Sequence, residues 1–178
     1  MEKVETLNLP ITLSELKRTL VFLAISIVAF FVPFSLGHSQ WVVGTIVNAS
    51  LFLTAIFLPK KFYIPIAILP SLGLIARGIV FGPFTYFLVY FLPFILIANI
   101  LLILVFKKLF KLGALGVIFS AGVKFLFLFL LANIYFNLHV VPNLFLKTMG
   151  LFQLYTALVG GVVAYIIYIA YAKFFSRS

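Results

Sequence analysis

Apolar positions in this chain gather into six long runs. Short clusters of charged residues, glycine, proline and asparagine separate them. The runs cover approximately residues 20–36, 41–58, 62–80, 84–106, 112–138 and 144–172. About 20 apolar residues at 1.5 Å rise cross a hydrocarbon core of roughly 30 Å. The pattern therefore predicts an all-α fold: a single integral membrane domain over residues 1–178, built as a bundle of six transmembrane helices. Residues 1–19 read as a cytoplasmic or interfacial segment, 20–172 as the bundle and 173–178 as a cytoplasmic tail. The last two runs exceed the need of a perpendicular span, which implies tilt or extension beyond the bilayer. Thr12-Leu13-Ser14-Glu15 fits a capping box, so the first helix is expected to begin near Thr12, run along the interface through Lys17 and Arg18, and then enter the membrane. No small-residue cleavage site follows a short apolar core there, so the run from Leu20 reads as a retained helix.

Charge gives this topology a direction. With the N-terminus inside, the inner segments hold ten cations: Lys3, Lys17, Arg18, Lys60, Lys61, Lys107, Lys108, Lys111, Lys173 and Arg177. The outer segments hold Arg77 and Lys147, and Lys124 alone falls within a helix. Basic residues accumulate on cytoplasmic loops, so both termini are assigned to the cytoplasmic side. The formal net charge of +10 does not point to nucleic acid, because the cations punctuate apolar runs and form no basic face. Composition agrees: 65% of residues are hydrophobic and 9% charged, where a soluble domain is about half apolar and a quarter charged.

The outer connections contain Pro33, Gly37, His38, Ser39, Gln40 and Trp41, then Gly78, Gly82 and Pro83, then Asn137, His139, Pro142 and Asn143. Such connections are either tight turns or segments folded back into a cavity mouth. No internal repeat indicates an inverted-repeat transporter.

Polar residues at membrane depth are costly and usually face the bundle interior. Here they are Asn48, Asn99, Lys124, Asn133, Gln153 and Thr156, with Arg77 near the outer end of the third run. Lys124 is the sharpest. Gly116, Ser120 and Lys124 recur every four residues, so they share a helix face on which small residues let another helix approach. The lysine thus points inward. The three acids, Glu2, Glu5 and Glu15, are all near the N-terminus and cannot pair with it. Three resolutions stand: the amine is neutral; it snorkels or bonds to helix carbonyls and amide side chains; or it meets an anionic ligand from outside. Arg77 is either an interfacial anchor or an attractor of anions at the outer mouth. In the last run, Gln153, Ala157 and Gly161 form one stripe, and Thr156, Gly160 and Ala164 another. The glycines and alanines read as close packing, Gln153 as packing or pocket lining, and Asn99 as an interhelical hydrogen-bond residue. Asn48 is open between these roles.

Several chemistries find no residues to carry them. There is no cysteine, hence no thiolate site. No Gly-rich phosphate loop with its Lys-Ser/Thr is present, so the chain does not itself hydrolyse ATP. No pair of intramembrane carboxylates offers a proton relay. His38 and His139 sit in outer loops without metal-ligand spacing. Ser120 has no histidine at its depth, which argues against a serine protease. No catalytic residue, metal or cofactor is therefore assigned, and binding or transport is expected over catalysis.

Three stretches resemble the substrate-binding (S) components of energy-coupling-factor (ECF) transporters. They are Val47-Asn48-Ala49-Ser50-Leu51-Phe52; Pro93-Phe94-Ile95-Leu96-Ile97-Ala98-Asn99, where Ala98 stands for a usual glycine; and Lys124-Phe125-Leu126-Phe127 followed by Met149 to Gly161. The last is similar to a subgroup of S-like proteins of unassigned substrate. The resemblance covers residues 20–170 and implies a six-helix protein of the prokaryotic plasma membrane. Such a protein binds a micronutrient near the outer face and works with a membrane coupling subunit and two ATPase subunits. Small residues four apart on the first helix are where that subunit docks in the family; here Ala24 and Ala29 are five apart, with Ser26 between. The expected function is a substrate-binding subunit for a small molecule, anionic if Lys124 meets it; the alternative is an accessory subunit of another membrane complex. Candidate ligand-binding residues are Lys124, Gln153, Asn48, Arg77, Asn133 and Thr156.

Overall fold

A computed structural model describes residues 13–36, 39–78 and 87–175. The elements are α1 (Leu13–Leu36), α2 (Gln40–Phe57), a 3-10 turn at Lys60–Phe62, α3 (Tyr63–Arg77), α4 (Leu88–Leu109), a second 3-10 turn at Phe110–Leu112, α5 (Ala114–Asn137), α6 (Leu144–Thr148) and α7 (Leu151–Phe175). No strand occurs among the described residues. Thr12 of the capping box, Lys3, Arg177, Glu2, Glu5, and the loop residues Gly37, His38, Gly82 and Pro83 lie outside them.

The breaks follow local chemistry. Pro59 has no N–H to continue α2, and Leu58 before it is extended at φ −111°, ψ 148°. Gly113 turns the chain into α5 at φ 55°, a region open to glycine at little cost.

Among the described residues, five helical stretches are long and apolar enough to cross a membrane: Glu15–Leu36, Gln40–Phe57, Leu88–Leu112, Ala114–Asn137 and Leu144–Lys173. The bundle is inverted relative to a soluble protein. Leu20, Ile27, Ile118, Leu130 and Ile166 are exposed, while Lys124, Asn48 and Asn99 are buried. This is the arrangement expected when lipid is the solvent.

Two of the six expected runs differ in form. The third is only 15 residues of helix, about 22 Å long at 1.5 Å per residue. The sixth divides at Met149 and Gly150 into a five-residue α6 and the long α7. A Cβ on Gly150 would collide with the carbonyl oxygen of Leu146, so the tight joint requires glycine.

α2 is the central helix and packs against α1, α3, α4 and α7; α5 packs against α4, α6 and α7. Small residues allow close helix crossings. A Cβ on Gly160 of α7 would sit 2.7 Å from the Thr45 carbonyl oxygen and 2.8 Å from the Ala49 nitrogen of α2. Ala157 and Ala164 are buried, and a Cβ on Gly161 would strike Val117 of α5. The two small-residue stripes of this helix are therefore packing surfaces, as expected.

The ends of the bundle differ in charge. At one end α1 begins, Phe22 stacks on Phe62 at 4.5 Å, and Phe57 meets Tyr171 at 5.0 Å. This end carries Lys17, Arg18, Lys60, Lys61, Lys107, Lys108, Lys111 and Lys173. At the other, Arg77 reaches α1, Gln40 reaches α6, and the cations are Arg77 and Lys147.

Arg77 has a structural task. Its Nη1 donates to the carbonyl oxygens of Phe34 at 2.7 Å and Ser35 at 2.6 Å. These belong to the last turn of α1, where carbonyls lack helical partners and the dipole favours a cation. Arg77→Met is expected to lower stability by about 1 kcal/mol, read as a lower melting temperature of the full chain in detergent. An unchanged melt would show that water caps α1 equally well.

Candidate functional site

The i, i+4 face of α5 is buried as its spacing required. Gly116 and Ser120 are inside, and Lys124 is 2% exposed near the middle of the helix. Lys124 Nζ donates to Asn48 Oδ1 of α2 at 2.7 Å and to Asn99 Oδ1 of α4 at 2.8 Å. Both amides are held by their other ends. Asn48 Nδ2 donates to the Gly44 carbonyl at 2.8 Å and to Thr156 Oγ1 of α7 at 3.2 Å. Asn99 Nδ2 donates to the Ala67 carbonyl of α3 at 2.9 Å. Thr156 donates in turn to the Phe152 carbonyl at 2.7 Å. With the NH2 groups facing carbonyls and a hydroxyl, the amide oxygens must face the amine. Five helices are thus joined through one lysine.

Bonding to amide side chains, one of the three resolutions open for Lys124, is observed, with Asn48 and Asn99 as the partners, and it leaves the other two open. Amide oxygens carry only partial charge, so the amine has ligands but no counter-ion among the described residues.

A cavity of about 100 Å³ lies beside this cluster, with Asn48, Asn99 and Lys124 in its wall. It extends toward the end poor in cations, where Pro33, Gln40, Leu88 and Met149 line it. Water occupies about 30 Å³ in the liquid, so the space suits a few waters or a solute of a few heavy atoms. Gln40 Nε2 donates to the Thr148 carbonyl at 3.3 Å, tying the start of α2 to α6 across this end. Of the third outer connection, Asn137, His139 and Asn143 are exposed and do not line the cavity; it is α6, at the start of the sixth run, that packs on α5 and α7, with Phe145 fully buried and Met149 at the cavity.

Ser71 of α3 also lines the cavity, and its sequence context gave no signal of this. Ser26 Oγ of α1 is buried with no hydrogen-bond partner among the described residues, while Ser50, Thr54 and Ser120 bond back to the carbonyl four residues earlier, at Ile46, Ser50 and Gly116. That carbonyl for Ser71 is Ala67, which already accepts from Asn99. Ser71 Oγ is buried and has no hydrogen-bond partner among the described residues.

The remaining sequence candidates separate cleanly. Gln153 lines the cavity, Asn48 and Thr156 belong to the cluster, and Asn99 joins them as the interhelical bonder it was expected to be. Asn133 bonds its own helix at the Phe129 carbonyl, and Arg77 caps α1; neither lines the cavity. On α1, Ala24 is exposed but Ala29 is fully buried, so the two do not share a docking face. Three, four or seven residues keep a helical face, and five do not. No group of three or more His, Cys, Asp or Glu able to hold a metal occurs among the described residues. No family model, curated protein or solved structure matches the chain.

Proposed function

We propose that this chain is the substrate-binding subunit of an ECF-type micronutrient uptake transporter in a prokaryotic plasma membrane. On this reading it crosses the membrane six times with both termini cytoplasmic. It binds a small solute near the outer face and works with a membrane coupling subunit and two ATPase subunits. The observation that carries the reading is the buried Lys124, without a carboxylate partner, beside a cavity directed toward the cation-poor end. The segregation of cations supports the orientation, since basic residues favour the cytoplasmic side. The short α3 supports a sixth crossing, because it runs beside α1 from the Phe22–Phe62 stack to the Arg77 cap. The partners rest on the resemblance in the sequence.

Lys124→Leu tests the reading. Losing a hydrogen bond to a charged group costs about 1.5–3 kcal/mol, so solute affinity and cellular uptake should fall roughly ten- to hundredfold while the protein still reaches the membrane. The second reading, an accessory subunit, is favoured by the two hydrogen bonds Lys124 already makes inside the chain. Full uptake by the leucine variant, with neither solute nor ATPase subunits co-purifying, would establish it instead.

A further inference from the structure

We infer that the cavity takes a small monocarboxylate: one carboxylate head and a short, unbranched or singly branched apolar body. The inference rests on the solute-binding reading above and gives it a chemical class. Three observations converge.

The first is donor excess. The oxygens of Asn48 and Asn99 each accept from Lys124, which takes one of the two lone pairs on each. What remains toward the cavity can donate. In its protonated form Lys124 has three N–H bonds, of which it uses two. The hydroxyl of Ser71 is buried and unpartnered. The Gln153 amide is on the same wall. A site that offers donors selects a ligand rich in lone pairs.

The second is charge. The acids of the sequence are Glu2, Glu5 and Glu15. Glu15 lies in the first turn of α1, at the opposite end from the cavity mouth. A ligand carboxylate would supply the counter-charge that the amide oxygens cannot, through charge-assisted bonds about twice as strong as neutral ones.

The third is size and lining. The volume is about 100 Å³, and Val43, Val47, Leu74, Leu88, Ile95 and Met149 form most of the remaining wall. These side chains offer nothing to a second polar group. A phosphate or a dicarboxylate would bring oxygens that must be desolvated against hydrocarbon. A body of a few carbons loses nothing there.

The full chain in detergent or nanodiscs carries its own reporter. Trp41 is the one tryptophan of the sequence. It follows Gln40 at the cavity mouth and packs on Phe152 at 5.0 Å and Tyr155 at 6.1 Å, on either side of Gln153 along α7. Its fluorescence should be titrated with isobutyrate, with isobutyramide of the same shape but no charge, and with inorganic phosphate. Isobutyrate should change the signal saturably and bind at least roughly tenfold more tightly than either comparator. Lys124→Gln should abolish that preference. Because the variant alters a buried cluster, Ser71→Ala provides the second arm. It removes a hydroxyl that has no partner, so the ligand-free melting temperature should hold or rise, while isobutyrate affinity falls roughly fivefold.

Equal binding of the amide or of phosphate would overturn the inference, as would unchanged isobutyrate affinity in Ser71→Ala and Lys124→Gln together. Native mass spectrometry separates the two levels of failure. A co-purifying solute without a carboxylate overturns the carboxylate alone and leaves the solute-binding reading standing. Silence toward all three probes, with no solute co-purifying, removes both.

Discussion

Asn99→Leu is expected to destabilise the bundle by about 3 kcal/mol, the largest effect of any single polar substitution here. The two side chains share a branched four-atom skeleton, leucine being the bulkier, so lost hydrogen bonding is the main cost. Asn99 accepts from Lys124 and donates to the Ala67 carbonyl, and the leucine leaves both without that partner. A buried group stripped of its partner costs about 1–3 kcal/mol, and more when it is charged. Interhelical bonds in membranes often measure near 0.6 kcal/mol because an alternative partner is found. In this bundle such a partner is scarce: the other amide oxygen within reach of Lys124, that of Asn48, is already bound to it. Removing the ammonium should relieve much of the loss. The double variant Asn99→Leu/Lys124→Met is expected to be less than additive by about 1–2 kcal/mol. Unfolding of the four proteins in mixed detergent micelles would measure the coupling, and strict additivity would mean that the bond contributes nothing to stability.

Gly160→Val should be among the most damaging packing changes. Its Cβ would lie 2.7 Å from the Thr45 carbonyl oxygen and 2.8 Å from both the Ala49 nitrogen and the Asn48 Cβ. Two of these three atoms are backbone, so the strain cannot be relieved by rotating a side chain. The helices must separate. Overpacking ordinarily costs about 1–3 kcal/mol, and the upper figure or more is expected where backbone must move. The same displacement would draw Thr156 away from Asn48. The valine variant should therefore lose solute binding as well as thermal stability, whereas Gly122→Ala should do neither, since a Cβ there has nothing within 4 Å. Parallel melting and binding measurements on the two variants check this. Equal behaviour would show that the α2–α7 crossing is not tight.

The inward turn of Lys124 was legible because it follows from periodicity alone: residues four apart on a helix face the same way, and Gly116 and Ser120 marked the side that another helix approaches. Its partners were not legible. Whether Asn48 and Asn99 reach the same nitrogen depends on the height and rotation of α2 and α4 relative to α5, which no single-helix pattern contains. Ser71 stayed hidden for a related reason. A serine in an apolar helix ordinarily satisfies itself on the preceding turn, but here a residue on another helix already donates to that carbonyl. Arg77 could be placed near an interface by counting residues, but its role as a cap for α1 comes from the packing of α1 on α3. The division of the last run at Gly150 was masked by hydropathy, which remains apolar on both sides of the joint. The pairing of Ala24 with Ala29 failed on a point the sequence did contain, since five residues is not a helical repeat.

The two amides that receive Lys124 both precede it in the chain, and the threonine that buttresses Asn48 follows it. This order bears on how the protein is made. A lysine at the centre of an isolated helix raises the free energy of insertion by about 2.5–3.5 kcal/mol. When α5 leaves the ribosome, α2 and α4 have already been synthesised, so the oxygens that compensate this cost are waiting before it arises. Moving α5 ahead of them by circular permutation would present the lysine to bare lipid, with the same final contacts but a nascent helix prone to slip back out.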